Sequence, residues 1–183
     1  MSTRHRDTGY NNFVVGAIAM QIRQATVDDF DAIWPLILET INAGDTYPFA
    51  PDMAKDQGFK AWMEVPHATY VAEDDEKILG TYYLKPNQPA LGAHVCNAGY
   101  IVATPARGRG LGRAMCRHSL ATARALGYRA MQYNLVVATN TAAVKLWQEC
   151  GFTIVGRLPN AFHHRRLGLV DAYVMYQWIG EDR

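Results

Sequence analysis

A mixed α/β domain built on one sheet is predicted for this chain of 183 residues, and three observations predict it. Apolar residues switch between alternation, the period of a strand, and a three-to-four spacing, the period of a helix. Glycine, proline and polar clusters fall between those segments. The resulting order is β-α-α-β-β-β-α-β-α-β-β, in which adjacent strands pair antiparallel and two strand–helix–strand crossovers place parallel neighbours.

Residues 1–19 read as an N-terminal extension and 20–183 as the domain. Arg4 and Arg6 followed by the apolar Phe13–Ala19 also fit a short signal peptide. Asn11 and Asn12, directly before so short a run, favour a tail leading into the first strand at Met20–Gln24. Thr26 and Asp29 make a capping-box pattern ahead of Phe30, Ile33, Trp34, Ile37 and Ile41, an apolar face at helical spacing. Pro35 lies inside that helix, within its first turns. Ala43–Pro51 reads as a loop, and Asp52 as the cap of a second helix presenting Phe59, Trp62 and Met63. Ala68–Glu73 and Ile78–Leu84 alternate as a strand pair around a polar turn. A proline-containing loop, Lys85–Gly92, precedes a strand at His94–Val102. A glycine-rich turn then runs into a helix stopping at Gly127, followed by a strand at Ala130–Val137 and a helix from Asn140 to Gly151. Thr153–Leu158 and Leu169–Ile179 are the last strands, with His163, His164, Arg165 and Arg166 in the loop between them.

Composition narrows the function. A chain of this length buries roughly 70% of its unfolded surface and needs no metal or disulfide to fold. Lys plus Arg number 18 and Asp plus Glu 17, so no net field draws the chain to nucleic acid or an anionic membrane. Cys96, Cys116 and Cys150 form no C-x-x-C pair, which argues against a disulfide framework or cysteine zinc site and fits a cytoplasmic location. No apolar run approaches the ~18 residues of a membrane span.

The chemistry concentrates in Arg107-Gly108-Arg109-Gly110-Leu111-Gly112, between a strand and a helix. Alternating glycines leave backbone N–H groups open to close approach. The helix that follows aims its unsatisfied N–H groups and positive dipole end into the same space, and Arg107, Arg109 and Arg113 add charge. That is a cradle for a diphosphate. It is not a Walker loop, which needs G-x-x-x-x-G-K-[ST], and it fails G-x-G-x-x-G in both registers. A glycine-rich turn that merely carries arginines is the alternative.

This segment resembles the phosphate loop [QR]-x-x-G-x-[GA] of the GCN5-related N-acetyltransferases. Asn140-Thr141-Ala142-Ala143-Val144-Lys145-Leu146-Trp147-Gln148-Glu149-Cys150-Gly151-Phe152 resembles that family's N-x-x-A-x-x-L-Y-x-x-x-G-F at every position but one. Two such motifs about 30 residues apart, in the family's order, extend the likeness over residues 20–179. The resemblance implies a mostly antiparallel twisted sheet of about six to seven strands, with a splay between two central parallel strands and about four flanking helices. It implies acetyl-CoA as co-substrate; no metal is expected, because the neighbouring His163 and His164 lack a third ligand at a recognised interval. The pyrophosphate would lie on the N–H groups of Arg107, Gly108, Arg109, Gly110, Leu111 and Gly112, with Arg113 beside it. The pantetheine would pair with the backbone of Ile101 and Val102, and contact Asn140, Ala143 and Trp147 on the following helix. Asn140 is also a good plain N-cap. A backbone N–H near Val102 would polarise the thioester carbonyl.

The family often has a Tyr at the position of Trp147 to protonate the departing thiolate, and indole cannot do so. Tyr133, Tyr173 and Cys150 are substitute donors; alternatively the thiolate leaves unprotonated, its pKa of about 8.5 permitting it. His94, Asp171 and Glu39 are candidate bases for the incoming ammonium. Asn97 and Asn134 stand out, because Asn is depleted in strands and needs partners when buried. Either they are satisfied core amides, or they hold the acceptor. The runs Cys96-Asn97-Ala98-Gly99-Tyr100 and Asn134-Leu135-Val136-Val137-Ala138-Thr139-Asn140 resemble those of the fungal L-azetidine-2-carboxylate/proline-type N-acetyltransferases, which implies that Asn97 and Asn134 orient a small amino acid or related amine, with Tyr100 as a pocket wall. The cations at His163–Arg166 would receive an acceptor carboxylate, or simply be solvated.

The expected protein is therefore an N-acetyltransferase passing the acetyl group of acetyl-CoA directly to a primary or secondary amine of a small amino-acid-like molecule. Its partners are that amine and a second copy of itself as a homodimer, with no nucleic acid and no membrane. A non-catalytic acyl-CoA sensor, suggested by Trp147, and an enzyme acting on protein N-termini or lysines are the alternatives.

Overall fold

The structure, a computed structural model, describes residues 11–15, 18–75 and 77–181. Arg4 and Arg6 of the signal-peptide reading lie outside them. In chain order the elements are β1 (Asn11–Val15), β2 (Ile18–Gln24), α1 (Phe30–Ala43), α2 (Lys55–Phe59), β3 (Ala68–Asp74), β4 (Lys77–Pro86), β5 (Val95–Val102), α3 (Leu111–Ala125), β6 (Ala130–Val137), α4 (Thr141–Glu149), β7 (Thr153–His164) and β8 (Gly168–Trp178). They form one sheet in the order β1-β2-β3-β4-β5-β6-β8-β7, antiparallel throughout except between β5 and β6. Seven strands and four α-helices match the expectation. The eighth strand, β1, comes from the segment read as a tail: its backbone pairs with β2 from Asn11↔Ile22 to Val15↔Ile18. The strand expected at Met20–Gln24 itself begins at Ile18. A second correction concerns His163 and His164, which lie in β7 rather than in a loop. The β7–β8 ladder breaks between Leu158 and Phe162, where Asn160 takes a positive φ, and then resumes to His164↔Gly168. Pro159 and Asn160 look like a strand's end in sequence, but in the fold they make an irregularity within it.

Strand alternation sorts the core into two clusters on opposite faces. Tyr82, Leu84, Cys96 and Ala98 pack with Met115 and Leu120 of α3 and Trp147 of α4. Val71, Ile101 and Ala103 pack with Phe30, Ile33, Ile37 and Ile41 of α1 and with Trp62. The sheet is thus covered on both sides, which is why its central strands carry apolar residues at consecutive positions. Trp62 sits in a π-helical turn, Lys60–Glu64, that continues α2. Its buried indole donates to Thr81 Oγ1 at 3.0 Å. Helix α1 ends where Gly44 (φ 59°) returns its N–H to Thr40. The N-cap of α2 is Ala54 rather than Asp52, because Gln57 Oε1 accepts the Ala54 N–H there.

The predicted capping pair is present. Asp29 Oδ2 accepts the Thr26 N–H at 2.7 Å. Asp29 also joins Glu73 in holding Arg23, whose guanidinium donates to both oxygens of both carboxylates at 2.8–3.0 Å. The hydrogen bonds from Arg23, and then those from Thr26, pull the Asp29 pKa from 3.8 to about 2. Its folded pKa is depressed, so the stabilisation is present above about pH 4 and is lost as pH falls toward 2. Arg23→Ala should cost about 2 kcal/mol at pH 7. Urea unfolding at pH 7, 4 and 2.5 checks this. The gap between wild type and variant should shrink at the lowest pH, and a gap independent of pH would refute the ion-pair account.

Candidate active site

The parallel strands β5 and β6 stay in register only at Val95↔Ala130 and Cys96↔Met131, and then part. The side of β5 facing β4 is fixed by two bonds: Asn87 N–H to Val95 O, and Ala103 N–H to Leu79 O. With the antiparallel alternation between them, residues 95, 97, 99, 101 and 103 spend their backbone polar groups on β4. Residues 98, 100 and 102 turn theirs toward the gap. The Val102 N–H therefore faces the opening, whereas Ile101 bonds to β4 opposite Thr81 and buries its side chain beside Trp62. Expected pairing of a ligand with both residues thus narrows to Val102. The Tyr100 carbonyl, also on the gap side, accepts the Tyr47 hydroxyl at 3.1 Å. Tyr47 crosses the strand there because residue 99 is glycine: a Cβ on Gly99 would lie 2.8 Å from the Tyr47 hydroxyl and 2.6 Å from the Tyr83 ring.

The glycine-rich segment follows β5 at the mouth of the gap. Gly108 and Gly110 have φ of 72° and 85°, a region that favours glycine, and Gly110 is the N-cap of α3. The first bond of that helix is Ala114 N–H to Gly110 O, so the N–H groups of Leu111, Gly112 and Arg113 have no acceptor within the helix. Arg107 differs, because its N–H returns to Thr104 O. Its guanidinium donates to Val102 O at 3.2 Å and lies 3.8 Å from Glu39. The available donors thus run from Gly108 to Arg113, and an acyl carrier's diphosphate fits them: N–H groups with no acceptor in the helix, no Cβ at the turns, and a positive helix end. Arg113 is ion-paired with Glu149 of α4, and Arg109 is exposed.

Amides gather on the α1/α2 face of the gap. Asn97, buried, donates Nδ2 to Gln132 O at 2.9 Å and accepts the Tyr83 hydroxyl at 3.3 Å. Its side chain spans the point where the two backbones separate. Asn134 is exposed, donates to Asn87 Oδ1 at 2.7 Å, and accepts Gln132 Nε2 at 2.8 Å. A register shift between Tyr133 and Val136 bulges β6 at Asn134. Tyr47, Tyr83, Asn87 and Gln132 were not singled out from the sequence. The alternation of β4, continued one residue past its end, places Tyr83 and Asn87 on one face, but only the β4–β5 register brings that face to Asn97.

On the opposite face Trp147 is buried between Tyr100 and Tyr133, with ring centroids 4.8 and 5.0 Å away. The Tyr100 hydroxyl lies 3.0 Å from that of Tyr133 and 2.6 Å from Ser119 Oγ. Burial pushes the pKa of both phenols well up, so both stay protonated. Burial also raises Cys96, to about 12. The Cys150 thiol is lowered by the neighbouring Cys116 thiol and by Arg113 and Arg117. Asn140 caps α4, its Oδ1 taking the Ala143 N–H at 3.2 Å.

The candidate bases are engaged elsewhere. Glu39 accepts the Thr104 hydroxyl and sits near Arg107. The Asp171 carboxylate is lowered by the Asn160 N–H and by Arg157. His94 Nδ1 lies 3.2 Å from Leu91 O at the surface. The cation cluster is also split. Arg165 donates to Asn42 O at the end of α1, and His164 is buried with Nδ1 accepting the Arg166 N–H at 3.1 Å.

Parting strands beside a glycine-lined helix start suit a transferase that takes its acyl group from a thioester carrier. The profile described as the acetyltransferase (GNAT) family matches residues 24–152, and the chain belongs to that family. It is an acetyl-CoA-dependent acetyltransferase. The N-acetyltransferase aca1 of Schizosaccharomyces pombe is 37% identical over 155 residues, covering 75% of this chain and 74% of that protein. A GCN5-related N-acetyltransferase from Kribbella flavida is 44% identical, with a TM-score of 0.83 over 87% of this chain and 97% of that one. A phosphinothricin acetyltransferase from Sinorhizobium meliloti, solved with acetyl-CoA, shares the fold at 20% identity and a TM-score of 0.77, over 88% of this chain and 89% of that one.

Proposed function

We propose that the protein transfers the acetyl group of acetyl-CoA directly to the amine of a small amino-acid-like molecule. The observation that carries this is the row of amides and phenols on the α1/α2 face of the gap, next to the free N–H of Val102 and the glycine cradle. Gly108–Arg113 bind the diphosphate, and Asn140, Ala143 and Trp147 flank the pantetheine. The amine nitrogen attacks the thioester carbon, the C–N bond forms, the C–S bond breaks, and CoA leaves as thiolate. The Val102 N–H stabilises negative charge building on the carbonyl oxygen. Asn97 and Asn134 orient the amine through their amide oxygens. The N-acetyltransferase name of the S. pombe relative supports an amine acceptor.

The residues that β4, β5 and β6 place on this face around the gap include no carboxylate: Tyr83, Lys85 and Asn87, then Val95, Asn97, Gly99 and Ile101, then Gln132 and Asn134. The ammonium proton is therefore lost to water before attack, the amine reacts as its neutral form, and its remaining nitrogen proton passes to water as the C–S bond breaks. Thiol release from acetyl-CoA, measured across amino acids, their analogues, polyamines, aminoglycosides and peptides, tests the assignment. Release confined to peptides would replace it with a protein acetyltransferase. For acceptors of different basicity, kcat/KM should rise with pH and level off at each amine's own pKa. One fixed midpoint for all amines would instead point to an enzyme base.

Three free cysteines accord with a cytoplasmic protein. The edge strand β7, with Ile154, Val155 and Leu158 exposed, offers a surface for a second copy. Among the described residues no helix is long and apolar enough to cross a membrane.

A further inference from the structure

We infer that Lys85 is the residue that selects the acceptor, by receiving a carboxylate carried next to the amine. This rests on the reading of the amide-lined face as the acceptor site. Lys85 stands directly opposite Asn97 in the β4–β5 register, so its side chain leaves the sheet on the face that Asn97 and Tyr83 share. Its Nζ lies 5.4 Å from the centre of the Tyr83 ring, whose hydroxyl donates to Asn97. The ring face thus offers the ammonium a cation–π contact on the same side of the sheet as the Asn97 amide. Lys85 is half-buried, and among the described residues no carboxylate pairs with it.

Its neighbours on this face, Tyr83, Asn87, Asn97, Gln132 and Asn134, are uncharged. A lone ammonium among uncharged hydrogen-bonding groups complements an anion, and the amide oxygens complement an amine N–H. Together they fit an α-amino acid, with the carboxylate toward Lys85 and the nitrogen toward the amides. The cation cluster, the other place for a carboxylate that the sequence left open beside a solvated reading, is less suited: Arg165 caps α1 and His164 is tied to its own turn.

The test uses three acceptors with the intact protein: L-azetidine-2-carboxylic acid, its carboxamide, and azetidine. Comparing each variant with wild type for the same amine cancels differences in amine basicity. Lys85→Gln should lower the acid-to-carboxamide ratio of kcat/KM by roughly 10-fold or more, through KM for the acid, and leave KM for acetyl-CoA unchanged. Lys85→Arg should restore most of that ratio, because it restores the charge. A purely structural role would slow all three amines alike and lower the melting temperature. An unchanged ratio in Lys85→Gln overturns the assignment while amine acetylation stands. No thiol release by wild type with any of the three overturns the amino-acid acceptor reading, and Lys85's role with it.

Discussion

Gly110→Val should weaken acetyl-CoA binding by roughly 100-fold. Two effects add. Residue 110 has φ of 85°, and a β-branched side chain held there costs about 1–3 kcal/mol. Any relaxation that relieves this strain turns the first N–H groups of α3 away from a common point. On the proposed reading, the new side chain also stands where a diphosphate would approach the backbone. The strain alone should lower the melting temperature by roughly 5 °C. Titration calorimetry with acetyl-CoA, beside a thermal melt, separates binding from stability. Gly110→Ala, which has less bulk, serves if the valine variant folds poorly. Wild-type affinity in a folded Gly110→Val protein would remove the cradle from the site.

Asn97→Ala should reduce kcat by about 100-fold, the order at stake when a group that orients a reactant is lost. A structural loss accompanies it. Asn97 is 7% exposed, and its removal strands the Gln132 carbonyl and the Tyr83 hydroxyl. Leaving such groups unsatisfied costs about 1–3 kcal/mol. The two losses are distinguishable: stability is read by denaturant unfolding, and kcat at saturating amine on protein shown to be folded. Asn97→Asp keeps the acceptor oxygen and loses the donor to Gln132. If orientation of the amine is what matters, it should retain more turnover than Asn97→Ala. Turnover near wild type in a folded Asn97→Ala protein would leave Asn97 as a strut across the parting strands and nothing more.

That strut shows how the two sequence readings of Asn97 meet. It was either a satisfied core amide or an acceptor ligand, and the geometry satisfies it with partners on two neighbouring strands. The partners use one N–H and one lone pair, so a second N–H and a second lone pair remain for a ligand. Asn140 behaves similarly: as the N-cap its Oδ1 accepts the Ala143 N–H, and its own amide N–H groups stay open. In both cases a structural bond fixes the orientation of a side chain whose other hydrogen-bonding capacity is still open.

Much of the sheet was legible where local signals agree. Ala130–Val137 was bounded correctly, because Gly127 closes the helix before it and Asn140 opens the one after. The glycine loop was legible because positive φ at Gly108 and Gly110 is a local demand that only particular residues meet. The length of β7 was not, since Pro159 and Asn160 signal a break that pairing with β8 bridges. Nor was β1, whose register depends on β2 rather than on its own pattern. The direction of the Val102 N–H was also hidden: it depends on which of two alternate sets of β5 residues bonds to β4, and a one-residue shift would have exchanged Val102 for Ile101.

The amino-acid sequence by itself determined the family, the order of elements, the glycine-rich turn and the two unusual strand asparagines, because each is written in local spacing and residue type. Tertiary structure alone decided that β5 and β6 part after Cys96, that Tyr47 crosses the strand over Gly99, and that Lys85, Asn87 and Gln132 share a face with Asn97 and Asn134. Those facts follow from pairing registers between segments up to about 50 residues apart, and register is set by the packing of the whole sheet against its helices rather than by any one segment.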